Sequence, residues 1–252
     1  MTIFDELRAV VESGGRAVVF TVIAGEHVGA KLLVREDAST EGDGPAELAA
    51  LAPDALRMGR SHVIEHDGTT LFADVFGPPP RLLIYGAIDT AEALCRAAKL
   101  LGWTTIVADA RARFATRERI PSADELLVAW PEEALDRVRP DIGTAIVVLT
   151  HDDKFDVPML TGALATDAFY VGALGSRRNQ ERRRSLLSEA GVADADLERI
   201  AGPCGLDIGA ESPAETALSM LGEILALRAG RSGGPLRAAK QRIHAEPLAG
   251  KK

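Results

Sequence analysis

Residues 81–111 constrain the fold more than any other stretch of the chain. Leu82, Leu83, Ile84 and Tyr85 form a short apolar run that stops at Gly86, the pattern of a buried strand entering a tight turn. Ala91, Leu94, Cys95, Ala98 and Leu101 then recur at helical spacing, and Gly102 closes that segment. A second β-branched run, residues 104–108, ends in Asp109. Strand, turn, helix and strand with a terminal acid make the opening βαβ unit of a dinucleotide-binding fold. Its glycine fingerprint is incomplete. Gly86 serves the turn, but Ile88 and Ala91 stand where the other two glycines belong, and a β-branched side chain at 88 would crowd a pyrophosphate. Asp89, at the helix start, would repel one.

The region before this unit reads as a small α+β domain over residues 1–77. A helix is expected over 3–13, and strands over 16–24 and 30–35 around a glycine-bounded turn. A polar loop follows over 38–45, then a short helix over 47–57 that Pro53 can split. Asp67-Gly68 between residues 61–66 and 69–76 is a hairpin signal. Gly77-Pro78-Pro79-Pro80 is the linker, because a proline run stays extended and cannot join a central strand.

After the βαβ unit come a charged loop (111–121), a strand (126–129), a helix (131–138), a central strand (144–149), a helix (157–165) and a short strand (168–171). A basic, exposed helix is expected over 179–190. Ser212-Pro213-Ala214-Glu215 then caps a wide-faced apolar helix reaching residue 227. The expected fold is α/β: a Rossmann-like, doubly wound, mainly parallel sheet over residues 81–229, preceded by the α+β domain. Residues 230–252 read as a disordered basic tail.

The net charge of -8 argues against nucleic acid as a partner, since phosphate binding needs a basic field. Two cysteines cannot build a disulfide framework, which suits a reducing compartment. The start, Met-Thr-Ile-Phe-Asp-Glu-Leu, has acids where a signal peptide carries bases, and no apolar run reaches membrane-spanning length. A cytoplasmic protein without a membrane partner is the expectation.

Doubly wound sheets bind ligands beyond the carboxyl ends of their strands. That rule selects the turn at Gly86, the strand end at Asp109 and Arg111, the segment Thr150-His151-Asp152, residues 172–178, and the glycine-rich loop holding Gly205, Asp207 and Gly209. Asp109 can accept from a ribose-like diol, or simply pair with Arg111. Gly172 and Gly175 let backbone N–H groups face a ligand, Ser176 can cap the next helix, and Arg177 and Arg178 add anion-binding charge. His151 is placed where a base or ligand would stand, or is an ordinary loop residue. Cys95 falls on an apolar helical face and reads as core, whereas Cys204 is either a reactive thiol or inert packing. His27, His62, His66 and His244 show no metal spacing and read as surface residues. No metal site and no catalytic residue is assigned.

Residues 82–111, Arg119-Ile120-Pro121-Ser122-Ala123-Asp124, 147–156 and 170–178 occur in an order that resembles the XdhC/CoxI family. Gly202-Pro203-Cys204-Gly205-Leu206-Asp207-Ile208-Gly209-Ala210 and the helix over 212–227 complete the likeness. It is specific over residues 81–228 and weak before them. The resemblance implies an accessory or maturation factor, not itself a catalyst, for molybdenum hydroxylases of the xanthine or carbon monoxide dehydrogenase type. Such a factor binds molybdenum cofactor transiently, as molybdopterin or its dinucleotide, and delivers it to the apo molybdenum hydroxylase. A sulfurtransferase is a further partner the resemblance allows, and a homodimer is compatible with it. The chain departs from the family at its N-terminal loop, reduced to Gly25-Glu26-His27-Val28-Gly29-Ala30-Lys31, and has no cysteine before Cys95. Either cofactor binding rests on the C-terminal loops or only docking is kept. An NAD(P)-binding oxidoreductase and a cofactor-free docking scaffold are the alternatives.

Overall fold

A computed structural model describes residues 2–239; most of the basic tail, His244 included, lies outside the described residues. The chain forms two compact units that divide between Pro78 and Pro79.

The first unit is an antiparallel sheet of order β3-β2-β1-β5-β4 with two helices. Its strands are β1 (Ala17–Ala24), β2 (Lys31–Arg35), β3 (Thr40–Gly42), β4 (His62–His66) and β5 (Thr69–Phe76). Helix α1 (Ile3–Glu12) opens on a capping box between Thr2 and Asp5, and its Ile3, Leu7 and Val10 pack on Ala17, Val19 and Leu33. The expected loop over 38–45 contains β3. An exposed edge strand needs only backbone pairing with β2, so its polar sequence carries no alternating signal. The expected helix over 47–57 splits into a 3-10 turn (Ala46–Leu51) and α2 (Ala52–Met58), with Pro53 in the first turn of α2, where its missing N–H costs nothing. His27 is exposed, whereas His62 and His66 are half-buried in β4.

The second unit holds β6 (Arg81–Tyr85), β7 (Thr104–Asp109), β8 (Glu125–Val128), β9 (Thr144–Val148), β10 (Tyr170–Ala173) and β11 (Ile200–Ala201), with every neighbouring pair parallel. The order is β11-β10-β9-β6-β7-β8, which is the 3-2-1-4-5-6 winding of a dinucleotide-binding fold with its switch point between β6 and β9. Strand β11 goes beyond the expected elements: two residues are too short to leave a pattern. Alternation along β6 feeds both faces. Leu82 and Ile84 join α3 (Asp89–Leu100) and α8 (Pro213–Arg228) on one side; Leu83 and Tyr85 join α4 (Pro131–Val138), α5 (Asp153–Leu164) and α6 (Arg177–Glu189) on the other. A short α7 (Asp194–Leu197) precedes β11.

Between β7 and β8 a loop replaces the usual crossover helix. Ile120 and Ala123 are buried on the α3 side, Asp124 accepts from the Thr105 N–H and hydroxyl (2.8 and 2.9 Å), and Ser122 donates to Glu92. The Arg119–Asp124 motif is therefore architectural. Beyond α8, the Arg231 N–H bonds the Ala226 carbonyl and Gly233 lies against Leu206, so ordered packing extends past residue 229. Among the described residues no helix is long and apolar enough to cross a membrane.

Candidate functional site

At the end of β6, Gly86 has a φ of 115°, and a Cβ there would stand 3.0 Å from Thr150 Cγ2 and 3.1 Å from its backbone nitrogen. Residues 86–88 use up their own donors. Gly86 N–H bonds the Ala108 carbonyl (2.8 Å), Ala87 N–H bonds Asp109 Oδ2 (3.0 Å), and Ile88 N–H bonds the Gly86 carbonyl (3.0 Å). Ile88 itself packs partly into the α3-side core rather than toward a phosphate, which corrects the expected cause of the closed turn. The amides of residues 86–88 are taken up by hydrogen bonding, not covered by a bulky side chain.

Asp109 is 1% exposed, and Arg111 meets it through the backbone N–H, Nε and Nη2, each at 2.9 Å. Burial pushes its carboxyl upward, but the bonds from Arg111 and Ala87 outweigh that and hold it below the usual value. The pairing with Arg111 is the alternative that the structure contains. No oxygen of Asp109 is left to face a ribose, because both are bonded inside the fold.

Thr150, expected to face a ligand, is buried and donates its hydroxyl to Asp156 Oδ1. Asp156 also receives Arg183 Nη2 (2.6 Å) and Nε (3.2 Å). Arg183 reaches the Leu174 carbonyl (3.2 Å) and Gln180 Oε1 (2.6 Å), and Gln180 Nε2 bonds the Ala173 carbonyl (3.1 Å). The basic helix is thus not wholly exposed: Arg183 is buried at its centre and ties the loops after β9 and β10 together. Sequence pattern does not reveal it, because nothing distinguishes one arginine among its neighbours. His151 is exposed, and Asp152 caps α5 and pairs with Lys154 at 3.0 Å.

The loop after β10 differs in kind from the Gly86 turn. Gly172 lies within the strand, not the loop; a Cβ there would come 2.6 Å from the Tyr170 hydroxyl, so this glycine makes room for a ring and presents no N–H to a ligand. Gly175 has a φ of 143°, and Ser176 caps α6 by accepting from Asn179 N–H (3.2 Å). The N–H groups of Gly175, Ser176, Arg177 and Arg178 make no hydrogen bond among the described residues. Arg177 and Arg178 are exposed and, among the same residues, hold no carboxylate. Consecutive free amides at a helix N-terminus with exposed guanidinium groups beside them are the chemistry that anion binding uses.

In the loop after β11, Gly205 is pressed against Ser219 and gives its N–H to Glu223 (2.9 Å), which also takes the Tyr170 hydroxyl at 2.5 Å. Asp207 and Gly209 remain exposed. Burial and the nearby Glu223 push the Cys204 thiol up to about 12, and burial does the same to Cys95 in the core. Both are poor nucleophiles as they stand. Among the described residues no group of three or more His, Cys, Asp or Glu side chains is arranged to hold a metal ion.

The carboxyl edge of the sheet therefore offers Arg111, His151, Asp152, Gly175, Ser176, Arg177, Arg178, Asp207 and Gly209 toward solvent. Gly86, Asp109, Thr150, Gly172 and Gly205 are spent inside the fold.

Residues 82–224 match the XdhC Rossmann domain. A probable xanthine dehydrogenase subunit of Bacillus subtilis is 33% identical over 168 residues, 66% of this chain and 49% of that protein. The molybdenum cofactor insertion chaperone PaoD of Escherichia coli is 29% identical over 153 residues, 61% of this chain and 42% of that one. The chain spans about half or less of the length of these curated relatives. A crystal structure of a xanthine dehydrogenase from Bacillus halodurans shares the fold, with a TM-score of 0.60 at 23% identity over 90% of this chain and 65% of that one.

Proposed function

The chain belongs to the XdhC family, and from that premise we propose that it is a maturation factor carrying molybdenum cofactor to an apo molybdenum hydroxylase. The observation that carries this reading is the contrast between two loops on one sheet edge. The amides of residues 86–88 are bonded inside their turn, whereas those of Gly175 and Ser176, just ahead of α6, make no hydrogen bond among the described residues, and Arg177 and Arg178 hold no carboxylate among them. A phosphate-bearing pterin needs such a seat, and a chaperone for molybdenum cofactor is among the relatives.

The chemistry asked of the chain is binding, not bond-making. Ser176 fixes the first turn of α6 so that its amides point outward, Gly175 lets the backbone approach the anion, and Arg177 and Arg178 neutralise its charge. An exposed seat of this kind also releases its cargo without a lid having to open. NAD(P) binding is the weaker reading, because both oxygens of Asp109, the acid that would take the ribose diol, are bonded to Arg111 and Ala87.

The test is equilibrium binding of molybdopterin and of its dinucleotide to the full chain. Replacing both Arg177 and Arg178 by Ala should weaken binding about tenfold or more, as expected for removing hydrogen bonds to a charged group. Unchanged affinity overturns the phosphate seat. Saturable NADH binding favours the oxidoreductase, and capture of an apo molybdoenzyme without any small ligand favours the scaffold.

A further inference from the structure

The loop over residues 110–124, which stands in place of a crossover helix, carries Arg111, Arg113, Arg117 and Arg119 against two carboxylates, Glu118 and Asp124. Two tight turns shape it. Phe114 N–H bonds the Arg111 carbonyl at 2.9 Å, and Arg119 N–H bonds the Thr116 carbonyl at 3.1 Å. Ala115 and Ile120 are buried and anchor these turns to the α3-side core. Three guanidinium carbons are thereby brought to the ring of Phe114: Arg111 at 4.2 Å, Arg113 at 4.9 Å and Arg119 at 5.1 Å from its centroid. A ring has two faces, so at least two of the three lie over the same one.

Most carboxylates around this cluster are committed elsewhere. Asp109 holds Arg111 through Nε and Nη2, Asp124 takes the Thr105 donors and Lys99, and Glu92 takes both donors of Ser122. Asp89 is exposed and stands 3.7 Å from Arg119, beyond hydrogen-bond reach. Among the described residues Glu118 holds none of the arginines, and Arg113 holds no carboxylate. Arg117 gives its donors to the carbonyls of Ala123 and Asp124, which leaves its charge in place. The cluster is net positive.

Like charges gathered on one ring repel, and an anion between them removes that repulsion. Donors remain for it. The guanidinium groups of Arg113 and Arg119, and Nη1 of Arg111, make no hydrogen bond among the described residues. A carboxylate has two oxygens and fills one guanidinium fork, whereas a phosphate monoester has three free oxygens and takes two forks at once. Neighbouring guanidiniums therefore suit phosphate better than carboxylate.

We infer that the arginines around Phe114 form a binding site for a phosphate group, distinct in its loop and its residues from 175–178. The inference does not rest on the cofactor-carrying reading.

The experiment is titration calorimetry of the full chain at low ionic strength, with inorganic phosphate, glycerol phosphate and acetate as probes. It is run with Arg177→Ala and Arg178→Ala already in place, so that their loop does not contribute. Phosphate should bind saturably, and acetate about tenfold more weakly or less well still. Adding Arg113→Ala and Arg119→Ala should weaken phosphate about tenfold or more, as expected for losing hydrogen bonds to a charged group. Arg113→Lys keeps the charge without the fork and should cost about threefold in affinity. Both arginines are exposed, so thermal unfolding should not shift, which separates loss of the site from loss of the fold. Glycerol phosphate binding as tightly as phosphate assigns the site to a phosphate ester, and binding of phosphate alone assigns it to the free ion; either supports the proposal. No phosphate binding, acetate binding as tightly, or unchanged affinity without Arg113 and Arg119 overturns it. The carrier reading is untouched by those results, since it stands or falls on molybdopterin binding and on Arg177 and Arg178.

Discussion

Arg183 Nη2 lies 2.6 Å from Asp156 Oδ2 with their side chains 5% and 2% exposed, so a full ion pair is buried between α5 and α6. Through Thr150 and the Leu174 carbonyl it fixes the loops after β9 and β10 relative to each other. Removing one partner strands the other charge. Asp156→Ala should cost about 3–5 kcal/mol, read from urea unfolding. Arg183→Met combined with Asp156→Leu should recover most of that stability, yet leave the anion seat misaligned and molybdopterin binding weak. Full recovery of binding in the double variant would make the pair purely structural.

Acid should loosen the Gly86 turn. Asp109 has a folded-state value below its ordinary 3.8, so its stabilising contribution is fully present above 3.8 and is lost as pH falls through the lower folded value. The urea midpoint of the wild type should therefore fall more steeply than that of Asp109→Asn once pH drops below about 4. At neutral pH the Asn variant should be the less stable of the two.

Glycines on this edge should respond unequally. Gly172→Ala drives a methyl into the Tyr170 ring and should destabilise by about 1–3 kcal/mol. Gly209→Ala meets open space and carries only the cost of its φ of 68°, about 1 kcal/mol. Thermal unfolding of the two variants side by side checks the order.

Cys204 should alkylate slowly. With its thiol pushed up to about 12 by burial and Glu223, iodoacetamide at pH 8 should label it far more slowly than an exposed cysteine in a peptide. Glu223→Gln removes the repelling charge and should speed labelling. Peptide mass analysis gives the site-specific rate.

The fold is legible where local pattern and global order agree. The apolar runs at β6, β7 and β9 and the helical spacing of Leu94, Cys95 and Ala98 fix a parallel sheet without any long-range information. Strands β3 and β11 are not legible, since edge pairing through the backbone leaves no side-chain period. Within the site, Ser176, Arg177 and Arg178 are readable because caps and charges act locally. Asp109 leaves two readings open and Thr150 misleads, because a side chain at a strand end faces either solvent or the core and only tertiary packing decides which; Gly172 misleads because it lies inside β10 against the Tyr170 ring.

The Ala87–Asp109 hydrogen bond closes the first turn of the second unit upon the end of its neighbouring strand. Both oxygens of that carboxylate are held, one by Ala87 N–H and Arg111 Nη2 and the other by Arg111 N–H and Nε, so a ribose diol approaching the end of β7 would have to displace one of these bonds. The acid at the end of β7 is thus committed to its own fold before any ligand arrives.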